Sequence, residues 1–432
     1  MRVLYVIRLD VPIAKEHVFI KTVWDNLRRF DEVECLEVLR SADGKRALDF
    51  DPQTKVWTAT VPPTALSGEA QQTATFTELF GRIKPTLVHS NMHEGTEIVA
   101  AKTLGIAVVT TIHIGSIICP RGGNGLWTPD DRICDGLIGD KCITCCCHDL
   151  PLPRVSNLLV RHLPEICKAK LHAFFATHQT FYFSRLFSID QSLENRKNYL
   201  EVLKYAHPIA ANRQLYEVLQ HYGCHPILLP HGVKPRKRLD YPPTDGKIKF
   251  YYLGRINHQK GIHVVLDAFK GIERSQYEFH IVGEGNHGRR NQRYFRQIVS
   301  RLNDINAFYH GSVDNDDLEQ YIKDWHVMIH PAICHEVYGI TISESMTLGR
   351  PVLATKCCGS EMQIQDGMNG WLITTNDVAA LRAKILEIIE HRDELPAMSQ
   401  RCRLPMPMPD YTQQLYVLYN KITGDERETD RH

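Results

Sequence analysis

The sequence has no apolar run close to the ~18 residues that are needed to span a bilayer. Its start, residues 1–7, has a short apolar stretch that meets Arg8 and Asp10 at once, unlike a secretory signal peptide. An excess of one charge is also missing, because 51 Lys and Arg stand against 50 Asp and Glu. Such a chain has no bulk attraction for nucleic acid. We therefore expect a cytoplasmic protein without a transmembrane segment or a nucleic-acid partner; peripheral contact with the inner face of the membrane stays open.

The 432 residues exceed one ordinary core and predict two or three domains. Residues 3–7 form a continuous apolar run, which is typical of a parallel strand covered on both faces. Strand-like and helix-like segments alternate over residues 85–112 and again over residues 249–391. This alternation predicts two parallel α/β halves. The prolines, glycine and charges of residues 230–243 predict the hinge between them.

Three stretches fit the alternation less well. Residues 41–75 are polar and turn-rich and give no assignable element. Residues 156–172 predict one long helix, followed by a short strand at Ala173–Ala176. A cysteine-rich stretch at about residues 115–150 interrupts the first half.

The segment Leu253–Gly261 places a glycine and Arg255 after a strand, and Lys260 before a helix. Two cations beside a helix N-terminus can bind a phosphate or diphosphate. From this motif alone, a solvated basic loop is an equally good interpretation.

Two carboxylates, Glu336 and Glu344, lie eight residues apart around Gly339. A carboxylate in such a place can accept hydrogen bonds from vicinal hydroxyl groups, as sugars present them. Taken singly, Glu336 also fits a charge near a helix N-terminus, and Glu344 a surface residue.

Together, the segments of residues 249–391 resemble retaining glycosyltransferases of family 4. The resemblance comprises six motifs in the family's order: the Gly-Arg-x4-Lys-Gly loop, the turns Ile281–Gly285 and His310–Val313, the Glu-x7-Glu element, Gly349–Val352, and Asp366–Leu372. It implies an α/β GT-B fold, in which two Rossmann-like domains face each other across an interdomain cleft. The expected domains are an N-terminal acceptor domain 1–232 with a cysteine-rich insertion 115–150, a hinge 233–247, a donor domain 248–405, and a C-terminal helix and tail 406–432 that packs back on the first domain.

The resemblance also implies roles for single residues. Arg255 and Lys260 would hold the diphosphate of a nucleotide sugar, Glu336 the donor sugar, and Glu344 the ribose. Gly254 and Gly283 would also bind the donor, and Gly339 and Ile340 would offer backbone amides to its phosphate or sugar. His113, at a strand end in the first half, would contact the donor sugar, so that the expected catalytic set is His113, Arg255, Lys260 and Glu336.

The implied activity is that of a hexosyltransferase-type enzyme (EC 2.4) that needs no catalytic metal. It would move a sugar, with UDP-sugar as the expected donor, to an acceptor hydroxyl in polysaccharide or glycoconjugate synthesis. The acceptor would be a carbohydrate, a lipid-linked intermediate or a soluble small molecule. A nucleotide-sugar 2-epimerase and a zinc-stapled interaction protein without transfer activity are the alternatives.

The first half departs from the family's pattern. The family commonly has a Gly-Gly loop after the first strand, whereas residues 9–16 contain no glycine. His89 and His93 are either acceptor contacts or ordinary polar residues at strand ends.

Six cysteines fall within residues 119–147. One pair has the C-x2-C spacing that tetrahedral zinc favours, and some members of family 4 carry a similar insertion. We expect a structural zinc site, ahead of an iron–sulfur cluster, at Cys119, Cys134, Cys142 and Cys145. Buried thiols without a metal are the alternative.

Overall fold

The computed structural model describes residues 1–8, 15–40, 48–61, 64–92, 94–113, 119–122, 125–148, 150, 152–177, 186–285, 289–314 and 317–424. The chain divides into two compact units. The first comprises Met1–Gly122, Gly136–Gly232 and Met408–His432, and the second comprises Gly123–Asp135 and Val233–Pro407. Part of the cysteine-rich insertion thus belongs to the second unit, although the chain on both sides of it belongs to the first.

The described strands, in chain order, are β1 (Val3–Arg8), β2 (Val33–Arg40), β3 (Leu48–Asp51), β4 (Val56–Val61), β5 (Leu87–Ser90), β6 (Ala107–Thr111), β7 (Leu126–Trp127), β8 (Arg132–Ile133), β9 (His207–Ala210), β10 (Ile227–Leu228), β11 (Ile248–Leu253), β12 (Tyr277–Val282), β13 (Ala307–Tyr309), β14 (Val327–His330), β15 (Val352–Thr355) and β16 (Gly370–Ile373).

The described α-helices are α1 (Lys15–Leu27), α2 (Thr64–Ile83, interrupted at Gly68), α3 (Thr96–Thr103), α4 (Asp140–Cys147), α5 (Pro153–His162), α6 (Glu165–Thr177), α7 (Ile189–Leu203), α8 (Arg213–His221), α9 (Ile262–Phe269), α10 (Arg289–Ser300), α11 (Leu318–Ile322), α12 (Ile340–Thr347), α13 (Val378–Glu390), α14 (Leu395–Arg401) and α15 (Met408–Thr423). Short 3-10 turns lie at His258–Lys260, Leu302–Asp304 and Arg392–Glu394. None of the helices in the described ranges is long and apolar enough to cross a membrane.

The first unit is built on a sheet whose described strands lie in the order β10-β9-β6-β5-β1-β2-β4-β3. The neighbours pair in parallel, except that β3 runs antiparallel to β4 at the edge. Val3–Ile7 of the central strand are all buried. This burial explains the continuous apolar run, because both faces of a parallel sheet are covered.

The polar stretch at residues 41–75 contributes β3, β4 and the start of α2, while 41–47 and 62–63 lie outside the described residues. The edge pair is only partly buried. Phe50 and Trp57 stack across it with ring centroids 4.4 Å apart. A half-exposed hairpin has a weak apolar pattern, and the sequence pattern therefore gave no assignment here.

The second unit has a parallel sheet with its described strands in the order β13-β12-β11-β14-β15-β16. Alternate residues of β11 pack into two different apolar clusters. Phe250 and Tyr252 belong to one, and Tyr251 and Leu253 belong to the other. Because successive side chains of a strand point to opposite faces, this sheet is covered on both sides.

The predicted strand at Ala173–Ala176 is wrong, because these residues belong to α6. The predicted long helix is two helices, α5 and α6, with a break at Leu163. Leu163 has an extended backbone (ψ 134°) because the following residue is Pro164, whose ring disfavours a helical conformation in the residue before it.

The cysteine-rich stretch contains a buried helix, α4, in place of an irregular loop. Cys142, Cys146 and Cys147 of this helix pack with Val160 of α5 and Ile189 of α7 in an apolar cluster. The thiols therefore act as small apolar side chains. Burial raises the pKa of Cys147 to about 11 and also raises the pKa of Cys142, so that both side chains are neutral thiols at pH 7 in this apolar setting.

The predicted metal site at Cys119, Cys134, Cys142 and Cys145 finds no support in the described residues. No three His, Cys, Asp or Glu side chains among them are placed to hold a metal ion. Cys134 lies in the segment that belongs to the second unit, whereas the other three cysteines lie in the first unit. The C-x2-C spacing of Cys142 and Cys145 instead places both side chains toward one side of α4, since residues three apart are neighbours on a helix.

We expect Cys147→Ser to lower the free energy of unfolding by about 1–3 kcal/mol, because a hydroxyl would replace a thiol in an apolar cluster. Cys167→Ser is the matched control, since Cys167 is exposed, and should change stability by less than about 0.5 kcal/mol. Urea unfolding measures both. Equal effects of the two substitutions would contradict the packing role of Cys147.

Candidate functional site

Three glycines let the turns at the carboxyl edge of the second sheet approach one another. A Cβ on Gly283 would lie 1.7 Å from the carbonyl oxygen of Gly254, and a Cβ on Gly261 would lie 1.9 Å from the carbonyl oxygen of Pro331. Their φ angles of 148° and 70° are also unfavourable for other residues. Gly254 and Gly283, both predicted as donor-binding, thus have a demonstrable role in packing two neighbouring strand ends together.

The loop after β11 is stabilised by its own side chains. The hydroxyl of Tyr252 donates to the carbonyl of Arg255 at 2.7 Å, and the side chain of Asn257 accepts from the Lys260 amide at 3.1 Å. The Arg255 side chain is exposed, whereas Lys260 is half-buried. The two predicted cations therefore lie at the ends of one short, well-ordered turn.

The ammonium group of Lys260 forms an ion pair with the carboxylate of Glu336. Glu336 lies in the loop after β14, and β14 is adjacent to β11 in the sheet. Its backbone is fixed as well: the Glu336 amide donates to the carbonyl of Cys357 at 3.0 Å, and its carbonyl accepts from the amide of Gly359 at 2.9 Å. The structure thus brings together Lys260 and Glu336, which are 76 residues apart in sequence.

The two charges keep each other ionised. Burial alone would raise the pKa of Glu336, but the charge and the hydrogen bond of Lys260 outweigh it and hold that pKa well below its usual range. Burial alone would lower the pKa of Lys260, but Glu336 raises it. Nε2 of His330 lies 4.0 Å from a carboxylate oxygen of Glu336, and burial lowers the pKa of His330 to about 4. At neutral pH, His330 is therefore uncharged beside an ionised pair.

A glutamine that the sequence analysis did not single out fixes the start of α12. Gln363 donates through its amide to the carbonyls of Tyr338 and Gly359, and its oxygen accepts from the hydroxyl of Ser343. Gln363 is buried, and Gly359 has no room for a Cβ against Tyr338. No local sequence pattern marks Gln363, because its partners are backbone carbonyls that approach it only in the folded chain.

Gly339 and Ile340 form the N-terminus of α12. Gly339 is left-handed (φ 77°), and a Cβ there would lie 3.1 Å from Ile342. Glu344 lies one turn further along α12 and is half-buried. The predicted donor-binding residues of this helix are therefore in the second unit, together with Arg255, Lys260 and Glu336.

His113 belongs to the first unit, directly after β6. Its Nε2 donates to the side-chain oxygen of Asn91 at 2.8 Å, since the Asn91 amide group is already donating to the carbonyl of Val6. Its ring also contacts those of Phe19 and His231, each with centroids 5.6 Å away. This packing fixes the ring of His113 at the carboxyl end of the first sheet, and its contact with a donor sugar stays a prediction.

His89 is buried in the first unit, and both of its ring nitrogens have partners. Nδ1 lies 2.5 Å from the hydroxyl of Tyr419, and Nε2 lies 2.8 Å from that of Thr111. These contacts favour the interpretation of His89 as a structural strand-end residue that ties α15 to the sheet. His93 lies outside the described residues.

The insertion supplies the second unit with a hairpin, β7–β8, that the sequence analysis did not foresee. Leu126 joins the apolar core of that unit, and a Cβ on Gly125 would lie 2.9 Å from the Cβ of His335. Asp131, in the turn of the hairpin, has a carboxylate oxygen 2.9 Å from Nε2 of His258. The hairpin therefore contacts both the Arg255–Lys260 loop and the residue before Glu336.

Part of the chain is similar in sequence to known proteins. Residues 233–404 match the family of glycosyl transferases group 1. An uncharacterized 41.2 kDa protein from the cps region of Klebsiella pneumoniae is 28% identical over 33% of this chain and 36% of its own length. The phosphatidyl-myo-inositol mannosyltransferase of Mycobacterium leprae is 26% identical over 39% of this chain and 46% of its own length. The chain thus spans less than half the length of these relatives.

The whole chain resembles solved structures. The crystal structure of HepE of Anabaena in complex with UDP and glucose matches with a TM-score of 0.63 at 15% identity, over 97% of this chain and 99% of that one. The sucrose-phosphate synthase of Thermosynechococcus elongatus matches with a TM-score of 0.65 at 15% identity, over 99% of this chain and 100% of that one. The chain has the expected α/β GT-B fold.

The hairpin contact gives a testable prediction. We expect Asp131→Gly to speed hydrogen exchange of the backbone amides of residues 257–262 about threefold to tenfold, because His258 in this loop loses its contact with the Asp131 carboxylate. The effect is moderate because both side chains are partly exposed to water. Glycine suits the left-handed backbone of Asp131 (φ 50°).

Asp130→Gly is the matched control, because Asp130 pairs with the exposed Arg132 on the same hairpin. It should leave exchange at 257–262 unchanged. Equal acceleration by both substitutions would mean that hairpin flexibility, and not the His258 contact, controls the loop.

Proposed function

We propose, from the group 1 glycosyl transferase domain at residues 233–404, that the chain transfers a sugar from a nucleotide-diphosphate sugar to an acceptor hydroxyl. The observation that carries this proposal is the convergence of Arg255, Lys260 and Glu336 at the carboxyl edge of one parallel sheet. Ligands of open α/β sheets bind at this edge. The cations suit a diphosphate, and the carboxylate suits sugar hydroxyls.

The donor's leaving group explains why two cations are needed. When the bond between the anomeric carbon and the diphosphate oxygen breaks, the bonding electrons stay on the nucleotide diphosphate. Arg255 and Lys260 stabilise that developing negative charge. Glu336 raises the pKa of Lys260 and so keeps the ammonium group charged before the donor arrives.

We infer that transfer proceeds with retention at the anomeric carbon. The acceptor oxygen attacks from the side of the leaving group, and an oxygen of the departing phosphate takes the acceptor's proton. A glycosidic bond forms as the bond between the anomeric carbon and the diphosphate oxygen breaks, and no protein nucleophile is required. Glu336 and His113 would orient the donor sugar, and Glu344 would bind the ribose.

UDP-sugar is the proposed donor, supported by the structural similarity to a protein crystallised with UDP and glucose. The acceptor would be a carbohydrate or a lipid-linked intermediate, which the first unit would bind at the cytoplasmic side of the membrane. A screen of UDP-, GDP- and ADP-sugars by thermal shift, with products read by mass spectrometry, tests the proposal. Consumption of a nucleotide sugar only to free sugar or an epimer would contradict it.

Arg255→Ala and Lys260→Ala should each lower kcat/KM by ~10²–10³, because loss of one group that stabilises transition-state charge typically has this effect. Arg296→Ala is the control, since Arg296 is an exposed cation on α10 of the same unit. It should retain the native rate. Near-native turnover of both site variants would remove these residues from the proposed role.

Glu336→Gln should lower the rate of transfer at least tenfold and should weaken UDP binding by a clearly smaller factor, because the proposed partner of Glu336 is the sugar and UDP carries none. Glu387→Gln is the control, as Glu387 forms an exposed ion pair with Lys384 on α13. Calorimetric titration with UDP and steady-state kinetics measure the two quantities. Much weaker UDP binding by the Glu336 variant would show that its role is to position Lys260.

A further inference from the structure

The β7–β8 hairpin of the insertion is anchored in the second unit. Leu126 of β7 is almost fully buried (2% exposed) in the apolar core of that unit. At the same end, the amide of Cys134 donates to the carbonyl of Gly125 at 2.7 Å and closes the hairpin. Because exposing Leu126 would cost the free energy of its burial, the hairpin keeps one position in the unit that contains the candidate site.

The turn of the hairpin contacts the Arg255–Lys260 loop. A carboxylate oxygen of Asp131 lies 2.9 Å from Nε2 of His258, a member of that loop. The ring of His258 also stacks on that of His263 of α9, with centroids 4.7 Å and planes 10° apart. Nδ1 of His263 lies 2.8 Å from the hydroxyl of Tyr294 of α10. The hairpin and two helices together therefore hold His258, and through it the loop.

The base of the same hairpin lies against the loop that carries Glu336. His335, which directly precedes Glu336, is buried, and a Cβ on Gly125 would lie only 2.9 Å from the Cβ of His335. Gly125 also has a left-handed backbone (φ 64°), which favours glycine. One hairpin thus contacts both of the loops that the ion pair between Lys260 and Glu336 joins.

The hairpin lies outside the residues that match the glycosyl transferase family, 233–404. Asp131 and His258 are 127 residues apart in sequence. His258 is one of the four unspecified residues of the Gly-Arg-x4-Lys-Gly loop. The contact between the two side chains is therefore a property of this chain's own insertion, and not of the shared motif.

We propose that the hairpin is a positioning element for the nucleotide-sugar donor. Asp131 holds the Arg255–Lys260 loop where its two cations meet the diphosphate, and Gly125 leaves room for the loop of Glu336. Neither hairpin residue touches the donor; each acts through a histidine of the loop that it contacts. Groups that bind or stabilise a reacting centre must be held to within about 0.5 Å by such supporting contacts. The inference rests on the proposed function, because it assigns a role in donor binding.

The first test replaces the charge of Asp131. Asp131→Asn keeps the size of the side chain and suits its left-handed backbone (φ 50°). We expect it to raise the Kd of UDP and the KM of the nucleotide sugar about twofold to fivefold, the effect of one partly exposed charged contact. The kcat should stay within about twofold of native, because the diphosphate is bound in both the ground state and the transition state. Asp130→Asn is the matched control and should leave all three constants unchanged, since Asp130 pairs with Arg132.

A double variant tests whether Asp131 acts through His258. If it does, Asp131→Asn/His258→Gln should bind UDP no more weakly than His258→Gln alone, because the contact is already lost. Additive losses of UDP affinity would contradict this route. A purely structural role would lower the melting temperature of Asp131→Asn and leave its Kd of UDP unchanged, and this result would also overturn the proposal.

The second contact is tested by adding a methyl group. Gly125→Ala should lower kcat about tenfold or more, because the new Cβ would displace His335 and the backbone next to Glu336. UDP binding should weaken by a smaller factor. Gly122→Ala is the matched control, as Gly122 has a similar backbone (φ 70°) with no atom within 4 Å of a new Cβ. It should retain the native kcat.

The outcomes separate this inference from the proposed function. A native-like Kd of UDP in Asp131→Asn, in a native protein that transfers sugar, would overturn the positioning role and leave the proposed function intact. A native protein that consumes no nucleotide sugar would contradict the proposed function, and the inference with it.

Discussion

The ion pair between Lys260 and Glu336 is the contact on which the candidate site depends. It joins the loop after β11 to the loop after β14, two adjacent strands of one parallel sheet. A half-buried pair of this kind is stable only when both loops are held in place, because either charge alone would lose solvation without a partner. Gly261 allows the first loop to touch the backbone at Pro331, and the strand-like bridge between Glu336 and Cys358 holds the second. The pair thus holds an ammonium group and a carboxylate side by side at the carboxyl edge of the sheet.

The described parts of the cysteine-rich insertion pack into both units. Its helix α4 contributes thiols to the apolar cluster of the first unit, whereas its hairpin contributes Leu126 to the core of the second. In the hairpin, Asp131 contacts His258, which lies two residues before Lys260. Gly125 lies against His335, which directly precedes Glu336. The insertion therefore contacts the candidate site through residues that are close in sequence to Lys260 and Glu336.

Features that depend on local pattern could be predicted from the sequence. Buried strands such as β1, β11 and β12 follow from short apolar runs, and the Gly-Arg-x4-Lys-Gly loop follows from residues that are close in the chain. Features that depend on tertiary contacts could not. Gln363 acts by bonding carbonyls 4 to 25 residues away, and nothing in its surroundings in the sequence marks it. The spacing of Cys142 and Cys145 fits a zinc ligand pair and a helix face equally well, and the apolar neighbours that decide between them come from α5 and α7.

The central claim is that the region around Lys260 and Glu336 binds the donor. Hydrogen exchange of the full chain with and without UDP tests this claim most directly. The account predicts slower exchange at residues 254–261 and 336–345 on addition of UDP, with the native pattern retained in the first unit's central strands. Unchanged exchange in both segments at saturating UDP, or protection confined to the first unit, would contradict it.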